Sequence, residues 1–245
     1  LDTVTQALLG AAIGQCGFAQ KLGRRAVAWG AVAGTVPDLD VVIIPFTGRI
    51  GEFLWHRGPT HAFWFGPVFG VLFGYATWRW YKRRKDRSNA ETPAQAHGPP
   101  DPASPQALWW WMALWFTVLF THPLLDIFTP YGTLFFWPFS DARVALHAIP
   151  IIDPVYSVPL VAALAAGLVL RKRLQWATNL AAIALVFTTA YLFYGWHLNL
   201  QAKERVAAAL AEEGIRHAEI SAYPTMFQVY LRRIVVRHDD LVRVG

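Results

Sequence analysis

Six apolar runs separated by short polar or basic breaks organise the first 200 residues. They cover about residues 4–20, 26–46, 61–81, 108–128, 155–170 and 174–198. A helix needs roughly 20 mostly apolar residues to cross the hydrocarbon core of a bilayer. The pattern therefore predicts an all-α polytopic membrane protein with about six transmembrane helices. The first and fifth runs are short, so tilted, re-entrant or interfacial placements stay open for them. No basic residue precedes the first run and no small-x-small cleavage site follows it, which argues against a signal peptide.

The breaks carry their own information. Residues 82–106 are rich in Pro, Ala, Ser and charge and read as a flexible surface loop. After residue 200 the character changes. Residues 201–213 have the pattern of a soluble helix, and 227–237 that of a strand of mixed polarity. The expected organisation is a transmembrane domain over 1–200 and a small mixed α/β C-terminal extramembrane tail over 201–245. That tail is too short to build a substantial core alone, so it either packs on the membrane domain or begins a larger, truncated unit.

Composition strengthens the membrane reading. Only 16% of residues are charged, against about 25% in a typical soluble domain. The 12 tryptophans suit membrane interfaces, where Trp gathers. The formal charge of +6 does not point to nucleic acid, because the basic residues cluster beside apolar runs. Such clusters orient membrane proteins or meet anionic headgroups. A lone Cys16 excludes an intramolecular disulfide.

Charge placement also gives a topology. Basic residues in short loops favour the cytoplasm. Lys21, Arg24 and Arg25 follow the first run, Lys82, Arg83, Arg84, Lys85 and Arg87 the third, and Arg171, Lys172 and Arg173 the fifth. With six spans all three groups fall on one side. The opposite, outer face then receives Asp38, Asp40, His56, His61, His122, Asp126 and Asp153.

Three stretches in that set carry chemistry. In Pro37-Asp38-Leu39-Asp40 the proline favours a helix break, and two carboxylates two apart share a face if the chain is extended. Left unpaired, a charged side chain within a span costs at least about 2.5–3.5 kcal/mol. His56 and His61 flank Arg57-Gly58-Pro59-Thr60, which places His56 in a loop and His61 at the first turn of the third span. His122 and Asp126 stand four apart on a helix and share a face. The plainer readings are headgroup-level carboxylates paired with Arg49 or Arg57, interfacial imidazoles, and a His–Asp hydrogen bond. Three His and three Asp on one face exceed the four ligands of a tetrahedral site. They imply either two metals or partners orienting the ligands. Mixed nitrogen and oxygen donors suit a divalent ion such as zinc, manganese or iron.

The order Pro-Asp-x-Asp, His-Arg-Gly-x-Thr-His, His-Pro-x-x-Asp, Tyr131-Gly132-Thr133 and Trp137-Pro138 resembles the bacterial membrane-bound metal-dependent hydrolases. These are the YdjM-like inner-membrane proteins, some of them LexA-regulated. The resemblance covers roughly residues 1–200. It implies a multi-pass inner-membrane protein with metal-dependent hydrolase activity and leaves the substrate open. Many relatives carry a Thr-His pair near the N-terminus where this chain has Thr5-Gln6, so the resemblance leaves a first-span ligand open, with Gln6 binding through its amide oxygen or a water as the alternative to none.

Together these features predict metal ligation by His56, His61, His122, Asp126, Asp38 and Asp40, with one or two ions per chain and zinc favoured. A metal there would activate a water and polarise a carbonyl or phosphoryl oxygen. Arg57 would clamp a phosphate oxygen, with a salt bridge to Asp38 or Asp40 as its alternative. Asp153 and His147, in the apolar outer loop, are further candidates for proton transfer or for orienting the ligands. The expected partners are the lipid bilayer and a lipid-like ester or phosphoester, and no nucleic acid. The competing classes are a metal or solute transporter and a non-catalytic structural or regulatory membrane protein.

Overall fold

The computed structural model describes residues 1–43, 57–87, 100–170, 172–215, 218–238 and 241–245. The first helix, α1 (Thr3–Ile13), begins on Asp2, whose carboxylate accepts the Thr5 backbone N–H at 2.9 Å. This N-cap satisfies one of the donors a helix start leaves open. A π-helical turn, Gly14–Phe18, carries the rod on into α2 (Ala19–Leu22). Gly23, at φ 71°, then reverses the chain into α3 (Arg25–Thr35).

The two arms pack antiparallel with their backbones nearly touching. Gly10 lies against Gly30, Gly14 against Ala26 and Gly34 against Gln6. Small residues at such a seam let helices approach where side chains would hold them apart. Pro37 ends the α-helical run, because its ring and missing N–H cannot continue it. A 3-10 turn, Pro37–Ile43, follows and carries Asp38 and Asp40.

A second 3-10 turn, Pro59–His61, leads into α4 (Phe65–Arg87), which packs antiparallel against α5 (Pro105–Ile127). Gly66, Gly70 and Gly74 meet Phe120, Phe116 and Met112 along this pair. Helix α4 continues through the basic cluster instead of stopping at Tyr81. Lys and Arg are good helix formers, and two of them lie over indole rings, Lys82 on Trp78 at 5.1 Å and Arg84 on Trp80 at 4.1 Å. Of the loop expected over 82–106, residues 88–99 lie outside the described residues. Helix α5 starts on Ser104 with Pro105 in its first turn.

The last two helices are α6 (Pro154–Val169) and α7 (Leu174–Glu212). Helix α1 is central and touches α3, α5, α6 and α7. Buried Gln15, in the π-helical turn, donates to the carbonyls of Ala163 at 3.0 Å and Ala177 at 3.1 Å, tying α6 and α7 to it. The chain is thus mostly helical. Among the described residues α5 and α7 are long and apolar enough to cross a membrane, and α6 is a shorter apolar helix.

The tail differs in detail from its sequence pattern. The helix expected over 201–213 is the unbroken end of α7, which runs to Glu212. A three-stranded antiparallel sheet follows, in the order β1 (Glu219–Pro224), β2 (Arg232–His238), β3 (Leu241–Val244). Strand β2 begins five residues later than its pattern suggests. Gln228 Oε1 accepts the N–H groups of Tyr230 and Leu231 at 2.6 and 2.7 Å, so a hydrogen-bonded loop occupies that stretch. Asn199 and Arg232 fasten the tail to the helices. Asn199 donates to His147 O at 3.1 Å and to Ala222 O, and Arg232 donates to His147 O, Ala148 O and Gly195 O at 2.7–3.1 Å.

Candidate metal centre

Four ligand atoms converge where α1, α3, α5 and the two 3-10 turns meet. His122 Nε2 lies 3.1 Å from His61 Nε2 and 3.3 Å from Asp38 Oδ1. His61 Nε2 lies 3.5 Å from Asp38 Oδ1 and 3.4 Å from Asp126 Oδ2. Asp126 Oδ2 is 3.9 Å from His122 Nε2, across one turn of α5. All four side chains are buried, and one ligand atom of each lies within 4.8 Å of every other. A tetrahedral ion with ligands at about 2.0–2.2 Å has ligand–ligand edges of about 3.3–3.6 Å. The observed spacings bracket that value.

The hydrogen bonds around the two imidazoles fix what they present to the centre. His122 Nδ1 is 2.8 Å from the Gly34 carbonyl oxygen, which can only accept, so this nitrogen carries the proton. The Thr60 hydroxyl donates to Asp40 Oδ2 at 3.0 Å and so accepts from His61 Nδ1 at 3.0 Å. With both rings neutral, the two Nε2 atoms are unprotonated and their lone pairs face each other at 3.1 Å. Without a cation or a proton between them that arrangement is repulsive. The second oxygen of Asp38 and the Asp126 Oδ2 atom accept no hydrogen bond among the described residues. The donor set and its orphaned atoms therefore fit a divalent ion.

A surrounding layer holds the ligands. Asp40 sits beside the cluster rather than in it, accepting the Arg57 backbone N–H at 2.8 Å and lying 3.6 Å from His61 Nδ1. Asp38 and Asp40 reach these places from a 3-10 turn, not from the extended segment that would have put them on one face. Gln6 donates to Asp126 Oδ1 and to His122 O, both at 3.2 Å, while its own Oε1 has no partner among the described residues. The first helix thus contributes an amide that holds a ligand in place. Thr60→Val would remove the acceptor for His61 Nδ1 and the donor to Asp40. Loss of such an orienting partner typically weakens metal binding 10–100-fold. Competition with a chromogenic chelator is expected to show about that loss, and unchanged affinity would contradict the relay.

The other sequence candidates fall as follows. Arg57 is buried, and its guanidinium Nε lies 3.4 Å from Asp126 Oδ2, with Nη2 on Leu1 O at 3.2 Å. Its side-chain ion pair is thus with Asp126 rather than with Asp38 or Asp40. It holds a left-handed backbone, φ 57°, a conformation costing of order 1–3 kcal/mol unless the surroundings impose it. Here Asp40 on its N–H and the Leu134 N–H on its carbonyl do so. Asp153 caps α6, accepting the Val155 and Tyr156 N–H groups and the Tyr191 hydroxyl at 2.9 Å, and burial raises its pKa. His147 packs edge-on against Tyr223 of the tail, and burial, with Lys203 and Arg232 nearby, lowers its pKa. Neither side chain is among the four converging groups. His56 lies outside the described residues. Thr60 and the Gly34 carbonyl were not anticipated. A threonine directly before a ligand histidine is the one sequence signal that pointed to Thr60.

Fold and site together define a mostly helical, apolar protein with a buried Asp/His group that could hold a metal ion. The family described as YdjM inner membrane protein matches residues 1–202, and the chain belongs to it. Membership points to an inner-membrane location. No curated protein and no solved structure matches the chain.

Proposed function

We propose that this protein is a metal-dependent hydrolase of the inner membrane that cleaves an ester or phosphoester of an amphiphilic, lipid-like substrate. The observation that carries the reading is the buried convergence of His61 Nε2 and His122 Nε2 with the carboxylates of Asp38 and Asp126. These four residues would hold one ion, with zinc favoured by their donors and spacing, and room for a water would come from expansion beyond four ligands. The ion would supply Lewis acidity and a water acidic enough to lose its proton near neutral pH.

The chain's own groups complete the chemistry. Asp38 Oδ2, which has no hydrogen-bond partner among the described residues, would be available to accept a proton at the site. Arg57 holds Asp126 and keeps a positive charge beside the centre. Leu39, Val41 and Val42 are exposed on the 3-10 turn that carries Asp38 and Asp40, so an apolar surface flanks the site. That favours an amphiphile over a polar solute.

The six helical segments, crossing in alternation, keep Lys21, Arg24 and Arg25, the basic end of α4, and Lys172 and Arg173 on one side. This arrangement supports a multi-pass topology with the metal centre toward the outer face. The test is hydrolysis of carboxylic and phosphoric esters of amphiphiles by purified protein in detergent. Activity is expected to vanish on chelation, return with added zinc, and be absent from His61→Ala. Hydrolysis indifferent to chelation, or retained in full by His61→Ala, would overturn the reading.

A further inference from the structure

The β1–β2 connection is an internally hydrogen-bonded loop that displays large apolar side chains outward. Met226, Phe227, Tyr230 and Leu231 are 59%, 55%, 72% and 68% exposed, while Val229 between them is fully buried. Loops of soluble domains seldom cluster such residues, because contiguous exposed apolar surface marks a binding face. The conformation is set from within. Gln228 holds the N–H groups of Tyr230 and Leu231, and the Thr225 N–H donates to Leu231 O at 3.0 Å. Phe227, at φ 69°, donates its own N–H to Ile152 O at 3.2 Å.

That last contact fixes the level of the loop along the helices. Ile152 stands just before the first turn of α6, beside exposed Ile151 and Val155. Tyr230 meets Tyr194 of α7 edge-on, ring centroids 6.3 Å apart. Tyr194 stands 20 residues after Leu174 on α7, a rise of about 30 Å and hence about one hydrocarbon thickness. Exposed Trp176 marks the other end of that rise. Aromatic side chains concentrate at both boundaries of a bilayer, so Tyr194 and Tyr230 lie at one of them. The three Arg232 hydrogen bonds to Ala148, His147 and Gly195 hold the loop there.

We propose that the Met226–Leu231 loop inserts into the leaflet on the metal-centre side, making the C-terminal tail a second, membrane-docked anchor. The occupant of this face is lipid. The apolar side chains continue the lipid-facing surface of α6 and α7, and Asp and Glu are absent from residues 220–238, so the surface suits acyl chains and headgroups. The inference rests on the membrane placement of α6 and α7 and is independent of any hydrolytic activity.

The test uses the full chain with Cys16→Ala, single cysteines at Phe227→Cys or Leu231→Cys, and an environment-sensitive fluorophore. The labelled protein is reconstituted in phosphatidylethanolamine–phosphatidylglycerol vesicles. Both probes are expected to shift to the blue and lose most of their emission when nitroxide-labelled lipids are included. A probe at Ala208→Cys, exposed on the far end of α7, is expected to do neither. Water-like emission without lipid quenching at both loop positions would overturn the proposal. So would shielding that appears in detergent and disappears on dilution, which would assign the face to a second copy of this chain. Using two loop positions keeps the test valid if one variant does not fold.

Discussion

His122→Ala is expected to empty the metal centre. The imidazole supplies one of four donors and sits within 3.1–3.9 Å of the other three. Its removal leaves three donors, His61, Asp38 and Asp126, and a cavity where the fourth stood. It also releases the Gly34 carbonyl that fixes the ring. Loss of a partner that merely orients a ligand costs 10–100-fold in affinity. Loss of the ligand itself is therefore expected to exceed about 100-fold, measured by metal competition on the purified protein. His147→Ala, whose ring lies against Tyr223, is the matched control and keeps its metal. Equal affinity in His122→Ala and the wild type would contradict the assignment.

The second large effect concerns the seam that builds the site. A Cβ added at Gly10 would meet the carbonyl of Gly30, its carbon 2.9 Å away, and Val118 Cγ1 at 3.0 Å. Backbone cannot rotate aside as a side chain can, so α1 and α3 must separate. Overpacking in a close-packed core costs typically 1–3 kcal/mol and occasionally more, and a clash with backbone belongs at the upper end. Gly10→Val is expected to yield little folded protein, or a melting temperature well below the wild type in detergent. Gly17 has open space around its Cα, so Gly17→Ala is expected to melt at or slightly above the wild type. Similar behaviour of the two variants would contradict the seam. Gly34 belongs to the same seam and also accepts from His122, so separating the helices is expected to cost metal along with stability.

The contrast between what the chain displayed and what it hid has a physical basis. The apolar runs were legible because bilayer-scale helices impose composition over some 20 residues. His122 and Asp126 were legible because a four-residue spacing fixes a shared helix face. Pro37 announced the break that lets Asp38 turn inward, though not the 3-10 geometry that separates it from Asp40. The Gly34 carbonyl could not be read, since backbone acceptors leave no residue-type signal. Asn199 and Arg232 were equally silent, because their partners lie 23–85 residues away. Arg57 was ambiguous from sequence between substrate and carboxylate, and only the fold pairs it with Asp126.

A divalent ion held by His61, His122, Asp38 and Asp126 would be visible in the purified protein. The most direct test is elemental analysis of the detergent-purified wild-type chain after zinc supplementation and exhaustive dialysis. Tightly held metal is expected, removed by strong chelators and absent from the His61→Ala, His122→Ala double variant. Wild-type protein that emerges folded and metal-free, or a double variant that carries the same metal, would contradict it.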